Sequence, residues 1–521
     1  MNMTAQKTDS IMLQDLLAGL LDSPLAQNAS ITGLTLDSRN VSPGDLFIAC
    51  RGTRVHGAHF IGAAMQAGAA AIVWEEDGLE EGDNILQLIP DSKTGANSVP
   101  VIKVENLAAK CGLIASRYYE NPSEKLSVIG ITGTDGKTSC CQFIAQALNK
   151  AHIATGIMGT LGYGLPGNIM LASHTTPDAL RVQQLMDEMQ QQHAKVVVME
   201  ASSHGLEQGR VNGVNFNTAV LTNLSRDHLD YHLTVEAYAA AKRKLFEMRG
   251  LRNAILNVDD EFGRLLAAQL ANQTDGQVNA IGYSIEPANV ESQEIPVISL
   301  TELRLLPSGM NLHIESPWGR ATVNTSLMGH FNASNLLATL AALVTQGVSF
   351  REATELMESL ETVPGRMESF VGHMDQPRVI VDYAHTPDAL RQVLIALRKH
   401  GPNKLSCVFG CGGDRDQGKR PLMGQAAAEL ADFVTVTDDN PRTESPEVIV
   451  EQIMQGINSN NEVTVEHDRA TAIRTAIAAA GAGDLVLIAG KGHETTQTVG
   501  DKKLPFSDRE FVMQCLRSDD S

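Results

Sequence analysis

The run Leu126-Ser-Val-Ile-Gly-Ile-Thr-Gly-Thr-Asp-Gly-Lys-Thr-Ser139 feeds an apolar, β-branched stretch into a glycine-rich turn, and Lys137-Thr138 opens what reads as a helix. Those residue types suit a nucleoside triphosphate. Backbone N–H groups around Gly133, Thr134, Gly136 and Ser139 can wrap phosphates while the helix N-terminus points its positive end at them. Lys137 would reach the outer phosphates, and the Thr138 hydroxyl is the expected Mg²⁺ contact. The spacing is not the strict G-x-x-x-x-G-K-[ST] pattern, because residue 131 is Ile and the glycines are Gly130, Gly133 and Gly136. A glycine turn that merely happens to carry a lysine is the bland alternative.

The apolar run Val196-Val-Val-Met199 delivers Glu200, followed by Ala-Ser-Ser-His-Gly-Leu206. A carboxylate at the end of a buried strand is costly unless it is paired or binds a cation. Next comes Leu224-Ser-Arg-Asp-His-Leu-Asp-Tyr-His232, dense in His and Asp. With Thr138 and phosphate oxygens, Glu200 and His228 could assemble a Mg²⁺ site. The His/Asp/His spacing also admits zinc but lacks a confident third ligand, and the oxygen preference of Mg²⁺ suits a nucleotide better. Alternatively, His228 and His232 only cap or pair with nearby carboxylates. Lys242, in Tyr238-Ala-Ala-Ala-Lys242, reads from spacing alone as a solvated surface charge.

Four further polar loops each follow an apolar run: Asp382-Tyr-Ala-His-Thr-Pro-Asp-Ala-Leu390, the glycine-rich stretch Gly410 to Pro421, Asp438-Asp-Asn-Pro-Arg442 and Gly490-Lys-Gly-His-Glu494. Loops at successive strand ends imply one shared site. Its mixed charge suits a zwitterion: Asp439 and Glu494 can hold an ammonium, and Arg415 and Arg442 can hold a carboxylate bidentately. Any single loop could be ordinary turn chemistry.

The elements that must position these groups are short, continuous apolar runs separated by helical stretches, the pattern of buried parallel strands in an α/β sheet. They include Asp45 to Cys50, Ala71 to Trp74, Lys195 to Glu200, Thr218 to Thr222, Asn253 to Asn257, Arg378 to Asp382, Leu405 to Phe409, Phe433 to Thr437 and Asp484 to Ala489. Residues 275 to 330 alternate instead, which predicts an antiparallel patch, and Asp83 to Pro100 predicts a surface loop. At 521 residues the chain exceeds one core, and about three domains are expected. The expected divisions are 1–107, an N-terminal α/β unit; 108–363, a central P-loop-type, mostly parallel sheet; and 364–521, a Rossmann-like doubly wound sheet.

A formal charge of −20 argues against a nucleic-acid or anionic-membrane surface. Any phosphate site must therefore be locally basic. Seven cysteines without a C-x-x-C pair fit reduced thiols in a cytoplasmic protein. Met1 to Ser10 lacks a signal-peptide layout, and no apolar run approaches the ~18 residues of a membrane span.

Taken in order, these motifs resemble the Mur ligases, the ATP-dependent family that adds amino acids to the peptidoglycan precursor. The resemblance covers essentially the whole chain. It includes Leu36-Asp-Ser-Arg39, the T-G-T-x-G-K-T loop, Glu200 with Ser202-Ser-His-Gly, the S-R-D-H-L-D-Y-H block, the A-A-K helix, Gly365-Arg-Met-Glu368 and the last four loops. Asp439-Asn-Pro-Arg442 is similar to the signature of members that add meso-2,6-diaminopimelate; lysine-adding relatives lack the arginine. Asp135 stands where the family commonly has Asn, and His174 at a position that is Asn in some relatives.

The resemblance implies conversion of UDP-MurNAc-L-Ala-D-Glu, ATP and meso-diaminopimelate into the tripeptide, ADP and phosphate through an acyl phosphate. It makes Lys137, Glu200, His228 and Lys242 catalytic, with Thr138, Glu200, His228 and a carbamylated Lys242 around Mg²⁺. Leu36, Ser38 and Thr53 would meet the uridine end; Thr175, Thr176, Ser202, Gln208 and Arg210 the muramoyl-peptide. Arg415, Asp439, Asn440, Pro441, Arg442, Gly490 and Glu494 would hold diaminopimelate, while Arg366 and His385 approach the nucleotide. The expected working form is a cytoplasmic monomer. A folylpolyglutamate-type ligase would lack the N-terminal unit and the D-N-P-R loop. A catalytically silent nucleotide switch would bind ATP without turnover.

Overall fold

The computed structural model describes residues 10–21, 24–25, 27–52, 55–79, 99–172, 174–225, 227–272, 278–286, 294–457 and 462–517. Thr53 and most of the Asp83 to Pro100 loop lie outside them. Two compact units form, one from residues 1–141, 148–256 and 260–280, the other from 142–147, 257–259 and 281–521.

In the first unit, four parallel strands run in the order Gly33–Thr35, Asp45–Ala49, Ala71–Trp74, Val101–Lys103. Strand alternation splits their side chains between two cores. Leu46, Ile48, Ala71 and Val73 pack with Leu107, Ile114 and Tyr118 of the helix Leu107–Tyr118. Phe47, Ala49, Ile72 and Trp74 pack with Ile61 and Ala64 of Ile61–Gln66.

A second sheet of this unit runs Asn168–Met170, Gly162–Leu165, Thr155–Gly159, Val196–Glu200, Ser127–Thr132, Thr218–Leu221, Asn253–Asn257. Its last five strands are parallel. The chain leaves Ser127–Thr132 for Thr155–Gly159 on one side and later returns to Thr218–Leu221 on the other. That reversal opens a crevice beyond the carboxyl end of Ser127–Thr132, where open α/β sheets bind ligands. The residues that follow are the glycine-rich turn.

In the second unit, Val297–Leu306, Gly309–Ser316 and Gly319–Thr325 form the expected antiparallel patch. A six-stranded sheet follows, ordered Glu368–Val371, Arg378–Asp382, Leu485–Ala489, Leu405–Phe409, Phe433–Val436, Val463–Val465. All neighbours are parallel except the first pair. The sequence runs end within a residue of these strands, because buried parallel strands are apolar on both faces and stop where polar loops begin. A buried pair, Arg469 and Asp508, bonds bidentately, Nε and Nη2 each donating to a carboxylate oxygen at 2.7 Å, and Arg469 Nη2 also donates to the Ala489 carbonyl at 3.0 Å. None of the seven cysteines, all among the described residues, is in a disulfide. Among the described residues no helix is long and apolar enough to cross a membrane.

His400, just past the helix Pro387–Arg398, is 1% exposed. Its Nε2 accepts the Gly329 N–H at 2.8 Å, and its Nδ1–H donates to the Leu306 carbonyl at 2.7 Å. Making both at once needs the neutral ring with its proton on Nδ1, because a protonated Nε2 cannot accept the Gly329 N–H, and burial pushes the pKa down. An unfolded histidine takes a proton near pH ~6.5. The stabilisation is therefore complete above that pH and is lost as pH falls below it. Urea unfolding should show His400→Leu less stable than wild type by about 1–3 kcal/mol near neutral pH, with the gap narrowing toward about pH 5. A gap independent of pH would contradict the neutral-ring assignment.

Candidate active site

The glycine-rich turn is held from two sides. Glu200 and Thr222-Asn223 leave the strands flanking Ser127–Thr132, with Glu200 in register with Ile131 and Leu221 with Thr132. Gly133 has φ +151°, and a Cβ there would lie 1.8 Å from Thr222 Oγ1, so only glycine lets the turn pass. Asn223 Oδ1 accepts the Thr134 and Asp135 N–H groups at 3.2 and 2.9 Å, and Thr222 Oγ1 donates to the Asp135 carbonyl at 2.6 Å. Thr134 Oγ1 lies 3.2 Å from the Tyr238 hydroxyl and accepts the Ser225 N–H at 2.9 Å. The Thr134 and Asp135 donors thus face inward. The N–H groups of Lys137, Thr138 and Ser139 begin the helix Lys137–Lys150, where geometry provides no intrahelical acceptor. A phosphate fits those donors.

Lys137 Nζ donates to the Gly133 and Thr134 carbonyls at 2.7 Å each. Its desolvation lowers the amine's pKa, opposed by Glu200, Asp135 and Asp227. Glu200 is 1% exposed. Burial raises its carboxyl pKa, but the Thr160 N–H at 2.8 Å, the Lys137 charge and the Thr138 hydroxyl at 3.0 Å oppose that shift. Among the described residues no cluster of three His, Cys, Asp or Glu side chains could hold a metal alone. An ion here would take most of its ligands from phosphate and water, which is the habit of Mg²⁺.

Lys242 is not a solvated charge. It is 1% exposed. Its Nζ donates to the Gly133 carbonyl at 2.6 Å and lies 4.2 Å from the Tyr238 ring centroid. Burial, helped by the Lys137 charge, lowers its pKa to about 6. Spacing failed here because alanines flanking a lysine look alike on a surface helix and on a helix packed under a loop. His228, at φ +53°, is half exposed; its ring lies 4.9 Å from that of His204, and Nε2 is 3.5 Å from Asp227.

Beside Glu200, Thr176 Oγ1 donates to the Glu200 carbonyl at 2.8 Å and lies 3.0 Å from Ser202 Oγ, whose hydroxyl can donate to it. Arg210 Nη1 donates to the Thr176 carbonyl, its Nε and Nη2 to Gln208 Oε1, and Gln208 Nε2 donates to the Tyr231 hydroxyl. Thr175 Oγ1 lies 3.1 Å from Thr160 Oγ1. These residues form one connected wall. His174 bonds the Tyr163 hydroxyl through its main chain. Leu36 is exposed, and Ser38 opens a 3₁₀ turn capped by Asp37.

In the second unit the four polar loops converge. Gly490 N–H donates to the Asp382 carbonyl at 3.1 Å, and a Cβ at Gly490 would lie 2.8 Å from Asp439 Oδ2. Asn440 Nδ2 donates to Glu494 Oε2 at 2.9 Å, and Arg442 Nη1 to the Gly413 carbonyl at 2.6 Å. Pro441 is buried and Arg415 exposed. Burial raises the Asp439 carboxyl pKa, with Arg469 and Lys491 opposing. Burial would raise Glu494 too, yet hydrogen bonds from Asn440 and Lys491 hold it below its usual range. Arg366 stacks 4.9 Å above the Tyr383 ring, and His385 Nδ1 bonds the Tyr383 carbonyl at 2.9 Å.

Three family models tile this chain: "Mur ligase family, catalytic domain" over residues 30–119, "Mur ligase middle domain" over 131–343 and "Mur ligase, glutamate ligase domain" over 365–492. The chain belongs to the Mur ligase family. This Mur ligase is 48% identical over 509 residues to the UDP-N-acetylmuramoyl-L-alanyl-D-glutamate–2,6-diaminopimelate ligase of Alkalilimnicola ehrlichii, covering 97% of this chain and 98% of that one. The protein of the same name from Coxiella burnetii is 46% identical over 96% and 99% of the two chains. A solved structure of a ligase of that name superposes with a TM-score of 0.74 at 36% identity, covering 97% and 99%. An Acinetobacter baumannii ligase that carries D-alanyl-D-alanyl in its name shares the fold, with a TM-score of 0.57 at 18% identity over 92% and 95%.

Asn223 and Thr160 were missed from sequence, although the rule that singled out Glu200, a polar residue just past a buried strand, applies to both. Replacing Asn223 with Ala should release the Asp135 N–H, the Thr134 N–H keeping the main-chain carbonyl of residue 223 at 3.0 Å, and weaken binding of a non-hydrolysable ATP analogue about tenfold by calorimetry. Unchanged affinity would remove Asn223 from the site.

Proposed function

We propose that this Mur ligase joins meso-2,6-diaminopimelate to UDP-MurNAc-L-Ala-D-Glu at the expense of ATP, giving the tripeptide, ADP and phosphate. The carrying observation is the convergence of Asp439, Asn440, Arg442 and Glu494 in one loop cluster bearing both charges. Such a cluster suits a diamino dicarboxylate, which has one carboxylate more than lysine. The names borne by the similar proteins support the same substrate.

A carboxylate is a poor electrophile, so its oxygen first attacks the γ-phosphorus of ATP and ADP leaves. The free amine then attacks the acyl carbon, and phosphate departs from the tetrahedral intermediate. Phosphoryl transfer needs positioning and charge neutralisation more than covalent help. Lys137, released from the two carbonyls it holds, would bind the outer phosphates. Thr138 and Glu200, whose side-chain oxygens lie together at the mouth of the turn, would hold Mg²⁺ beside phosphate oxygens and water. The bound ion would neutralise phosphate charge. Thr176, Ser202, Gln208 and Arg210 would orient the acceptor carboxylate, and Leu36, Ser38 and Thr53 the uridine end. Water must be excluded while the acyl phosphate exists. The chain is proposed to divide into domains at 1–107, 108–363 and 364–521 and to work as a cytoplasmic monomer.

Lys242 is proposed to work as its carbamate. It is buried against the phosphate loop, where a cationic side chain would compete with Mg²⁺ and a carboxylate-like one would help order it. CO₂ adds to the amine nitrogen, which loses a proton. Lys242→Ala should lower turnover by at least about 100-fold, with partial recovery on adding short carboxylic acids. Intact mass of active enzyme should show one bound CO₂; full activity without it would overturn the assignment.

The substrate proposal is tested by phosphate release and product mass with UDP-MurNAc-L-Ala-D-Glu and ATP, comparing meso-diaminopimelate with L-lysine. Product with diaminopimelate alone is expected. Equal turnover of lysine would remove the role given to the D-N-P-R loop, and no product with either would overturn the substrate assignment.

A further inference from the structure

The hairpin Thr496–Val499 and Lys502–Pro505 belongs to none of the chemical motifs, yet the Asp439 to Arg442 loop is bonded to it along its length. Gln497 Nε2 donates to the Asp439 carbonyl at 2.8 Å. The Thr498 N–H donates to Asn440 Oδ1 at 2.8 Å, the Arg442 N–H to the Thr498 carbonyl at 3.1 Å, and the Gly500 N–H to the Arg442 carbonyl at 2.7 Å. Arg442 has φ +54°, a left-handed backbone that an arginine holds only when its surroundings over-determine it. The hairpin supplies that constraint.

Lys491 closes the arrangement from below. It is fully buried, and its Nζ donates to Asn440 Oδ1 at 3.2 Å, Glu494 Oε2 at 2.9 Å and the Thr496 carbonyl at 2.7 Å. Those acceptors take all three ammonium protons. The Asn440 amide is correspondingly spent inside the protein, with Oδ1 on Lys491 and Thr498 and Nδ2 on Glu494. The other buried cation nearby, Arg469, is committed to Asp508. Lys491 is therefore the close counter-charge for Glu494, with Asp439 beside it.

We propose that Lys491 and Gln497 are specificity-determining positioning residues. Through the hairpin and the Asn440 amide they hold Asp439, Arg442 and Glu494 in the register that distinguishes an amino-acid substrate with two carboxylates from one with a single carboxylate. Neither side chain needs to touch the substrate. This rests on the amino-acid role given to these loops above.

The test is steady-state kinetics of the full-length enzyme as wild type, Lys491→Met, Lys491→Arg and Gln497→Leu, with meso-diaminopimelate and with L-lysine. Gln497 lies on a surface hairpin and its replacement keeps every charge, so that variant stays informative if loss of Lys491 prevents folding. Gln497→Leu and Lys491→Met should raise KM for diaminopimelate about tenfold and narrow the diaminopimelate-over-lysine ratio. KM for ATP should stay within about twofold. Lys491→Arg, which keeps the charge, should recover part of the loss. Unchanged amino-acid KM and ratio in Gln497→Leu, or a uniform fall in kcat with every KM unmoved, would overturn the inference. Wild-type enzyme that uses neither amino acid would instead overturn the substrate assignment.

Discussion

A carboxylate out of water at the end of a buried strand is the constraint on which the first unit depends. Glu200 cannot stand alone there, because an unpaired buried anion costs several kcal/mol or takes up a proton. The chain answers with a hydroxyl from the helix after the phosphate loop, Thr138, and a main-chain N–H and hydroxyl from the neighbouring strand's end, Thr160. Those bonds tie three strand ends together at the reversal of the sheet. They also leave the site cation-hungry, with Lys137 as the nearest compensation. An acidic protein can thereby bind an acidic nucleotide: the local charge balance at the crevice, not the net −20, decides what enters.

The second unit applies the same physics with opposite emphasis. Its loops bury Asp439, Arg469, Asp508 and Lys491 together, an arrangement that breaks if one partner is removed. Arg469 and Asp508 satisfy each other bidentately and anchor the loop floor through the Ala489 carbonyl. Asp439 is left at the surface of that network with its carboxylate against Gly490. One half of the network is a closed structural pair; the other holds the acid proposed to meet a ligand's ammonium.

Much of this was legible in the sequence because buried parallel strands announce themselves. Asn253 to Asn257 and Arg378 to Asp382 were delimited to the residue, since a continuous apolar run ends where the loop turns polar. The convergence of the four C-terminal loops followed from strand ends alone. What escaped was whatever depends on distance across the fold. From spacing alone Lys242 looked like surface, because burial of a lysine leaves no mark in its own helix, and only the family resemblance placed it at the site. Asn223 is an ordinary polar residue until it is seen to clamp the Thr134 and Asp135 N–H groups. The hairpin at Thr496 to Pro505 is short and polar, so its claim on Arg442 is invisible in one dimension, as is the fit of His400 between Gly329 and Leu306.

Everything at the nucleotide turn serves one step, in which ATP activates a carboxylate by phosphorylating it. The direct test is to label the side-chain carboxylate of the D-Glu residue in UDP-MurNAc-L-Ala-D-Glu with ¹⁸O, run the ligation to completion and measure the mass of the released phosphate. One labelled oxygen is expected in that phosphate, carried from the carboxylate when the amine displaces it. Phosphate free of label alongside formed tripeptide would contradict an acyl phosphate and the roles assigned to Lys137, Thr138 and Glu200.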